Sequence, residues 1–288
     1  MHDLFKAFLF RLRKDLTFRI TLFIGLGLAI LISLIFFLVD VAVSRLSSET
    51  GDITHIFGTG QSLLLFSLSP AQNFGLAVPI NLITFIVLEF TQGTIRNKII
   101  AGNSKAKIYF SLFFSGLLFT LAIMGTYIGI CTAFGCIFGG FDAHGMAIMG
   151  VGSGNVNPTF IWRILLITVL VYITITSFTL FFAALFRNVG PTIPVVIIVL
   201  MACYISATLV GSMGALTELS DTMATFNKVL MYINPLYSMS AFSSVVEGEA
   251  TYMAISDEAL ICGVVNNLVY TTAFLVGGML IFRKRDVK

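Results

Sequence analysis

The chain has 288 residues, of which 57% are hydrophobic and 11% charged, with a formal net charge of +3 and a mean hydropathy of +0.98. A soluble globular domain carries about 25% charged residues. This composition excludes a disordered chain and an ordinary soluble domain, and it describes a protein that crosses a membrane several times.

Residues 1–19 open the chain with an apolar stripe, Phe5, Leu9, Leu12 and Leu16, at helical spacing; Lys6, Arg13 and Lys14 lie off it. That pattern predicts a helix lying in the membrane interface with its cations among anionic headgroups. Six apolar segments follow, at 20–39, 71–90, 108–138, 160–186, 190–211 and 259–282. About 20 residues of helix cover a hydrocarbon core of about 30 Å. Helix is expected for each, because an open strand leaves backbone groups unpaired in lipid. Pro79 is expected to bend the second span. The first segment is too long for the apolar region of a signal peptide and lacks a small-residue cleavage site, so it reads as a retained span.

The connections carry the orientation. Fourteen of the 17 Lys and Arg fall on one side: the N-terminal flank, the loop with Arg96, Lys98, Lys105 and Lys107, Arg187, and the C-terminal Arg283, Lys284, Arg285 and Lys288. Only Arg45, Arg163 and Lys228 fall on the other, which holds ten of the 14 acidic residues. The positive-inside rule then places both termini in the cytoplasm. Residues 214–256 form the longest outer connection. Its stripe of Leu216, Leu219, Met223, Phe226, Leu230 and Ile233 predicts an amphipathic helix, ended by Asn234-Pro235, with a second helical stretch before the last span. The glycine-rich loop from Phe138 to Gly154 reads as a connection. Asp142 and His144 within it are too few to hold a metal.

Much familiar chemistry is missing. The chain has no GxxxxGK[ST] phosphate loop, no HExxH and no GxSxG. Its four cysteines (131, 136, 203 and 262) stand in apolar runs without a CxxC pair, as small core residues. The spans are almost free of ionisable groups, whereas ion-coupled transporters use intramembrane carboxylates or unwound helices. Glu89, at the end of span two, is the exception. A driving force is therefore expected from another chain.

The segment from Glu89 to Ser111 is the most ordered polar sequence in the chain. It contains Glu89, Gly93-Thr94, Arg96-Asn97-Lys98, Gly102, Ser104-Lys105 and Ile108-Tyr109. This run resembles the signature of the ABC type-2 transporter permeases, the membrane subunits of ATP-binding-cassette exporters. Many members carry Lys after the residue matching Ser111; this chain has Leu112. The resemblance extends to six spans, the basic N-terminal helix and an outer helical segment. It implies a single permease domain over 1–288, all-α, with a coupling helix within 91–105 that docks on cytoplasmic ABC ATPase subunits. Glu89, Gly93, Thr94, Arg96, Asn97, Lys98, Gly102, Ser104 and Lys105 would form that coupling site. Arg96, Lys98 and Lys105 would reach acidic or carbonyl groups of the ATPase.

The resemblance further implies a second permease subunit, identical or related, and residence in the cytoplasmic membrane. It implies no catalytic residue, metal or cofactor in this chain, ATP and Mg being bound by the partner ATPases, and no nucleic-acid partner. Spans two and five border the path in related permeases, which points to Asn81, Thr84, Ser206 and Thr208. The 28 Phe and 11 Met suit export of a hydrophobic or amphipathic cargo such as a peptide, lipid or drug, as in multidrug and antimicrobial-peptide exporters. Other readings are a membrane immunity or sensor subunit that binds without transport, and a secondary transporter.

Overall fold

The computed structural model describes residues 13–47, 58–69, 77–141, 155–156, 158–212, 232–236, 243–247 and 250–284, together with Ala7, Phe10, Thr222, Thr225 and Val229. Asp15 receives the Thr17 amide on its Oδ1 at 2.8 Å and so caps the start of the first long helix. That helix, α1 (Leu16–Ser47), is followed by α2 (Gly60–Leu68), α3 (Ala77–Thr91), α4 (Thr94–Ile100) and α5 (Lys105–Gly139). Then come β1 (Asn155–Val156), α6 (Pro158–Phe186), α7 (Val189–Ser212), β2 (Ser243–Glu247), β3 (Ala250–Ala254) and α8 (Asp257–Lys284). Among the described residues five helices, α1, α5, α6, α7 and α8, are long and apolar enough to cross a membrane, and a sixth crossing results if the bent pair α3–α4 is one span.

α6 lies at the centre, packed on α8, α3, α5, α7 and α2. Its threonines stitch the bundle: Thr168 donates to the Leu68 carbonyl (3.2 Å), Thr174 to Asn267 Oδ1 (2.8 Å) and Thr176 to Thr120 (3.1 Å). Hydroxyl bonds of this kind hold helices together where lipid leaves no hydrophobic drive between them. Glycines set the closest approaches. A Cβ on Gly278 would run into the Tyr109 hydroxyl, and one on Gly116 would meet Leu82 at 3.2 Å. The periphery is the reverse of a soluble surface, with Phe23, Ile24 and Leu38 of α1, Ile198 and Ile205 of α7, and Ile261 and Val269 of α8 all exposed. Such a surface is stable only in a hydrocarbon environment.

Of the second span, α3 from Ala77 to Thr91 is described, and residues 71–76 lie outside the described residues. Before it stands α2, a nine-residue helix in what reads by sequence as an outer loop. α2 is buried almost throughout. It is too short and too polar, with Gln61, Ser62 and Ser67, to register as a span. Its first amides are met by the end of α5: Gly60 donates to the Gly140 carbonyl at 2.8 Å and Gln61 to that of Phe141 at 3.2 Å. Thr59 caps it by accepting from the Ser62 amide. Pro79 stands near the start of the described part of α3, and the residues before Ala77, on which a bend at Pro79 would show, lie outside the described residues. A bend of 53° falls between α3 and α4.

Within 214–256, where helix is expected, Thr222, Thr225, Val229, Tyr232 and Ile233 are helical, whereas residues 243–247 and 250–254 are strands. β2 and β3 pair antiparallel, with Val245 opposite Tyr252 and Glu247 opposite Ala250, and β1 joins β3 in parallel. Val245, Val246, Thr251 and Tyr252 are β-branched or aromatic, which favours strands over helix. β1 leads into α6 and β3 into α8, so the sheet starts these two packed helices side by side. Arg163 clamps the pair, donating to the Ile255 carbonyl and to Asp257, each at 2.7 Å. The amphipathic stripe residues Leu216, Leu219, Met223, Phe226 and Leu230, and nearly all of residues 1–12, lie outside the described residues, as do Asp142 and His144.

The α2–α5 approach is tested by a single methyl group. A Cβ on Gly135 would lie 2.7 Å from the Gly60 Cα and 2.8 Å from the Thr59 carbonyl oxygen, backbone that cannot step aside. Gly135→Ala is expected to destabilise the purified protein by about 1–3 kcal/mol. Gly125→Ala, with nothing within 4 Å, should be neutral or slightly stabilising in thermal unfolding.

Candidate functional site

One end of the bundle gathers Lys98, Lys105, Arg187, Arg283 and Lys284 from α4, α5, the α6–α7 turn and α8. The site at this basic end is built around the elbow between α3 and α4. α3 ends at Thr91, and the chain turns through Gly93, whose φ of 68° is left-handed. That conformation strains any residue with a Cβ, so glycine is required there. Gly102, at φ 85°, reverses the chain again after α4, and Ser104 caps α5 by accepting the Lys107 amide.

Glu89 sits inside the elbow with no exposure at all. Its Oε2 receives the Lys98 ammonium at 2.8 Å and lies 2.6 Å from the Thr94 hydroxyl. The same hydroxyl lies 2.8 Å from the Glu89 carbonyl, so its one proton is shared between two acceptors of a single residue. A carboxylate in hydrocarbon costs several kcal/mol unless paired and hydrogen-bonded. Here the pairing partners come from the next helix, so neutralising Glu89 and fixing the 53° bend are one event. Ile95 is fully buried beneath α4 and anchors it from the apolar side. Phe90 packs edge-on against Phe282 of α8 and lies under the Arg187 guanidinium.

The expected coupling residues therefore divide into two sets. Glu89, Thr94 and Lys98 are turned inward on each other. Lys105 donates to the Arg283 carbonyl at 3.1 Å and joins the start of α5 to the end of α8. Arg96 and Asn97 are exposed, as is Ile100, which is 73% accessible at the tip of the elbow. Lys98 and Lys105 thus hold this chain together, whereas the sequence alone groups them with Arg96 as outward-reaching cations. Ile100 is absent from the sequence-derived set, because a lone apolar residue in a polar loop carries no signal until its exposure is known.

The four expected path residues are not brought together. Asn81 and Thr84 lie on α3 and bond within it, to the carbonyls of Ala77 and Asn81. They occupy the partly exposed stripe of a helix that is otherwise buried, along with Ile80 and Leu88. Ser206 lies elsewhere, on α7, where it meets Asn234; the side chain of Thr208 lies outside the described residues. The Asn234-Pro235 turn does more than end a helix. It enters the bundle between α7 and α8. Asn234 donates to the Cys203 carbonyl (2.8 Å) and to Ser206 (3.0 Å), and its Oδ1 accepts the Leu236 amide (2.9 Å). From α8, Asn267 donates to the Pro235 carbonyl (3.1 Å) and Tyr270 to that of Ile233 (2.6 Å). Nearby, Glu258 accepts the Tyr232 hydroxyl at 3.1 Å, which raises that phenol above its ordinary value. Asn267, Tyr270 and Thr174 were not singled out from sequence, although an asparagine within an apolar span is itself a sign of a helix-to-helix bond.

These helices, with their apolar periphery and internally satisfied breaks, define a multi-pass membrane protein. The chain belongs to the family described as Protein of unknown function (DUF2705), whose model matches residues 53–288, from the approach to α2 through α8. No curated protein matches the chain.

The elbow is expected to fail in a characteristic order. Lys98→Met leaves a buried carboxylate without its cation and should destabilise the protein by about 3 kcal/mol. Adding Glu89→Gln in the same chain should recover most of that loss. Denaturant unfolding of both variants in one detergent measures it; equal stability of the single and double variants would count against the pairing.

Proposed function

We propose that the chain is the membrane-spanning permease subunit of an ATP-driven exporter of the ABC type-2 class, resident in the cytoplasmic membrane with both termini inside. The observation that carries this reading is the elbow: a rigid bend held by Glu89, Thr94 and Lys98 that presents Arg96, Asn97 and Ile100 outward at the basic end. A seven-residue helix with one guanidinium and one apolar tip suits insertion into a shallow cleft of a soluble ATPase. Arg96 would bond an acidic or carbonyl group there, and Ile100 would fill an apolar pocket. ATP and Mg belong to that partner, since the chain has no phosphate loop of its own.

In this reading, a change in spacing between two ATPase subunits moves α4. Because Glu89 ties α4 to α3, the movement passes to a helix that contacts α6, α7, α5 and α1. Nucleotide then shifts the population between two arrangements of the bundle. The partly exposed stripe of α3 with Asn81 and Thr84 faces a second permease subunit, identical or related, and the path between them. The cargo is hydrophobic or amphipathic, a peptide, lipid or drug, in keeping with walls that offer few polar groups.

Two measurements test it. The double substitution Arg96→Glu and Ile100→Asp should reduce co-purification with a co-expressed ABC ATPase that binds the unsubstituted chain by about tenfold or more. It should abolish ATPase stimulation in nanodiscs while leaving expression and thermal stability unchanged. Undiminished binding would sink the docking assignment. In a background lacking the four native cysteines, Asn97→Cys should react with an impermeant maleimide only from the cytoplasmic side, and Thr159→Cys only from the outside. The reverse pattern would invert the orientation.

A further inference from the structure

A cavity of about 410 Å³ lies between α6, α7 and α8, roofed by the Asn234-Pro235 turn. Thr174 and Tyr270, on its wall, stand near the middle of α6 and α8, so it sits at mid-height of the bundle. Its volume is in the range of small-molecule sites, about 300–1,000 Å³. Phe178 and Phe274 form an edge-on pair on the wall, with centroids 5.1 Å apart.

Among the described residues of the wall, four side chains carry a hydroxyl or amide, and each already donates within the protein. Asn234 donates to Cys203 and Ser206, Ser206 to the Cys203 carbonyl, and Tyr270 to the Ile233 carbonyl. Thr174 donates among Leu170, Asn267 and Thr271. Among the described wall residues no hydroxyl or amide donor is left to orient a polar ligand, Cys203 adding only a weak thiol donor, and an apolar cavity of this kind holds water poorly. The mouth is flanked by Ile198, 67% exposed, and by Val199 and Ile233, also exposed. These belong to the apolar periphery of the bundle, so the cavity opens sideways onto hydrocarbon at the depth of the lipid acyl chains.

We infer that this cavity binds one hydrocarbon chain of a bilayer lipid, inserted laterally between α7 and α8 beneath the Asn234-Pro235 turn. The inference does not depend on the coupling role of the elbow. It requires only that the bundle spans a membrane.

The test uses the full chain in phosphatidylglycerol vesicles containing a trace of phosphatidylglycerol with a diazirine near the end of one acyl chain. After irradiation, peptide mass spectrometry should find adducts concentrated on the α7 and α8 cavity wall, above the level on the exposed face of α1. Ala202→Trp, which places an indole at the mouth, should lower the cavity adducts by about tenfold and leave those on α1 unchanged. Val199→Phe is a second, milder filling and should act in the same direction. Folding of both is checked by thermal unfolding. Cavity labelling no higher than on α1, or insensitive to either filling, would overturn the inference. So would an Ile198→Cys disulfide between two copies with no cavity adducts, which would make this face a subunit contact.

Discussion

Hydrocarbon supplies no hydrogen bonds, and every interruption of a helix inside it must be sealed by the protein itself. This constraint explains the places where the bundle is irregular. Where α2 starts, the end of α5 accepts its free amides; where α2 stops, Thr168 of α6 covers the Leu68 carbonyl. Where the Asn234-Pro235 turn enters, Asn267 and Tyr270 of α8 reach the two exposed carbonyls, and Asn234 closes its own turn onto Leu236. Thr168, Asn234, Asn267 and Tyr270 are thus backbone substitutes. They stand where a regular helix would have bonded itself.

The elbow obeys the same rule with a charge added. Glu89 sits at a depth where its carboxylate needs a partner, and the nearest cation is on the far side of a turn only a left-handed glycine allows. Bend, pairing and glycine therefore imply one another. The outward residues Arg96, Asn97 and Ile100 are under no such constraint, and they are the ones available for recognition. Separating structural cations from exposed ones is the gain over the sequence, in which Arg96, Lys98 and Lys105 look alike.

The long helices were legible because composition and length suffice: any run near 20 apolar residues has one stable form in lipid. α5, α6, α7 and α8 follow the predicted segments to within a few residues at most ends. The Glu89 loop was legible because its residue types are ordered in a way that a merely basic loop does not need. α2 was not. Nine residues with Gln61, Ser62 and Ser67 carry no span signal, and their burial is decided by Gly135 and Gly139, far along the chain. The hairpin of β2 and β3 is not legible in the same way, because the β-branched runs on either side of Gly248-Glu249 are only a few residues long and carry no clear alternation. The cavity was invisible in principle, since Thr174, Ser206, Asn234 and Tyr270 come from four segments that only tertiary packing assembles.

The reliance of α2 on later sequence bears on how the protein is made. A helix of nine residues, about 14 Å, is too short to enter the bilayer as an independent span. Its amides are answered by Gly140 and Phe141 and its last carbonyl by Thr168, all synthesised after it. Insertion therefore cannot proceed strictly from the N-terminus. α2 must wait at the membrane surface, or stay shielded within the insertion machinery, until α5 and much of α6 have emerged, and it then settles against helices younger than itself.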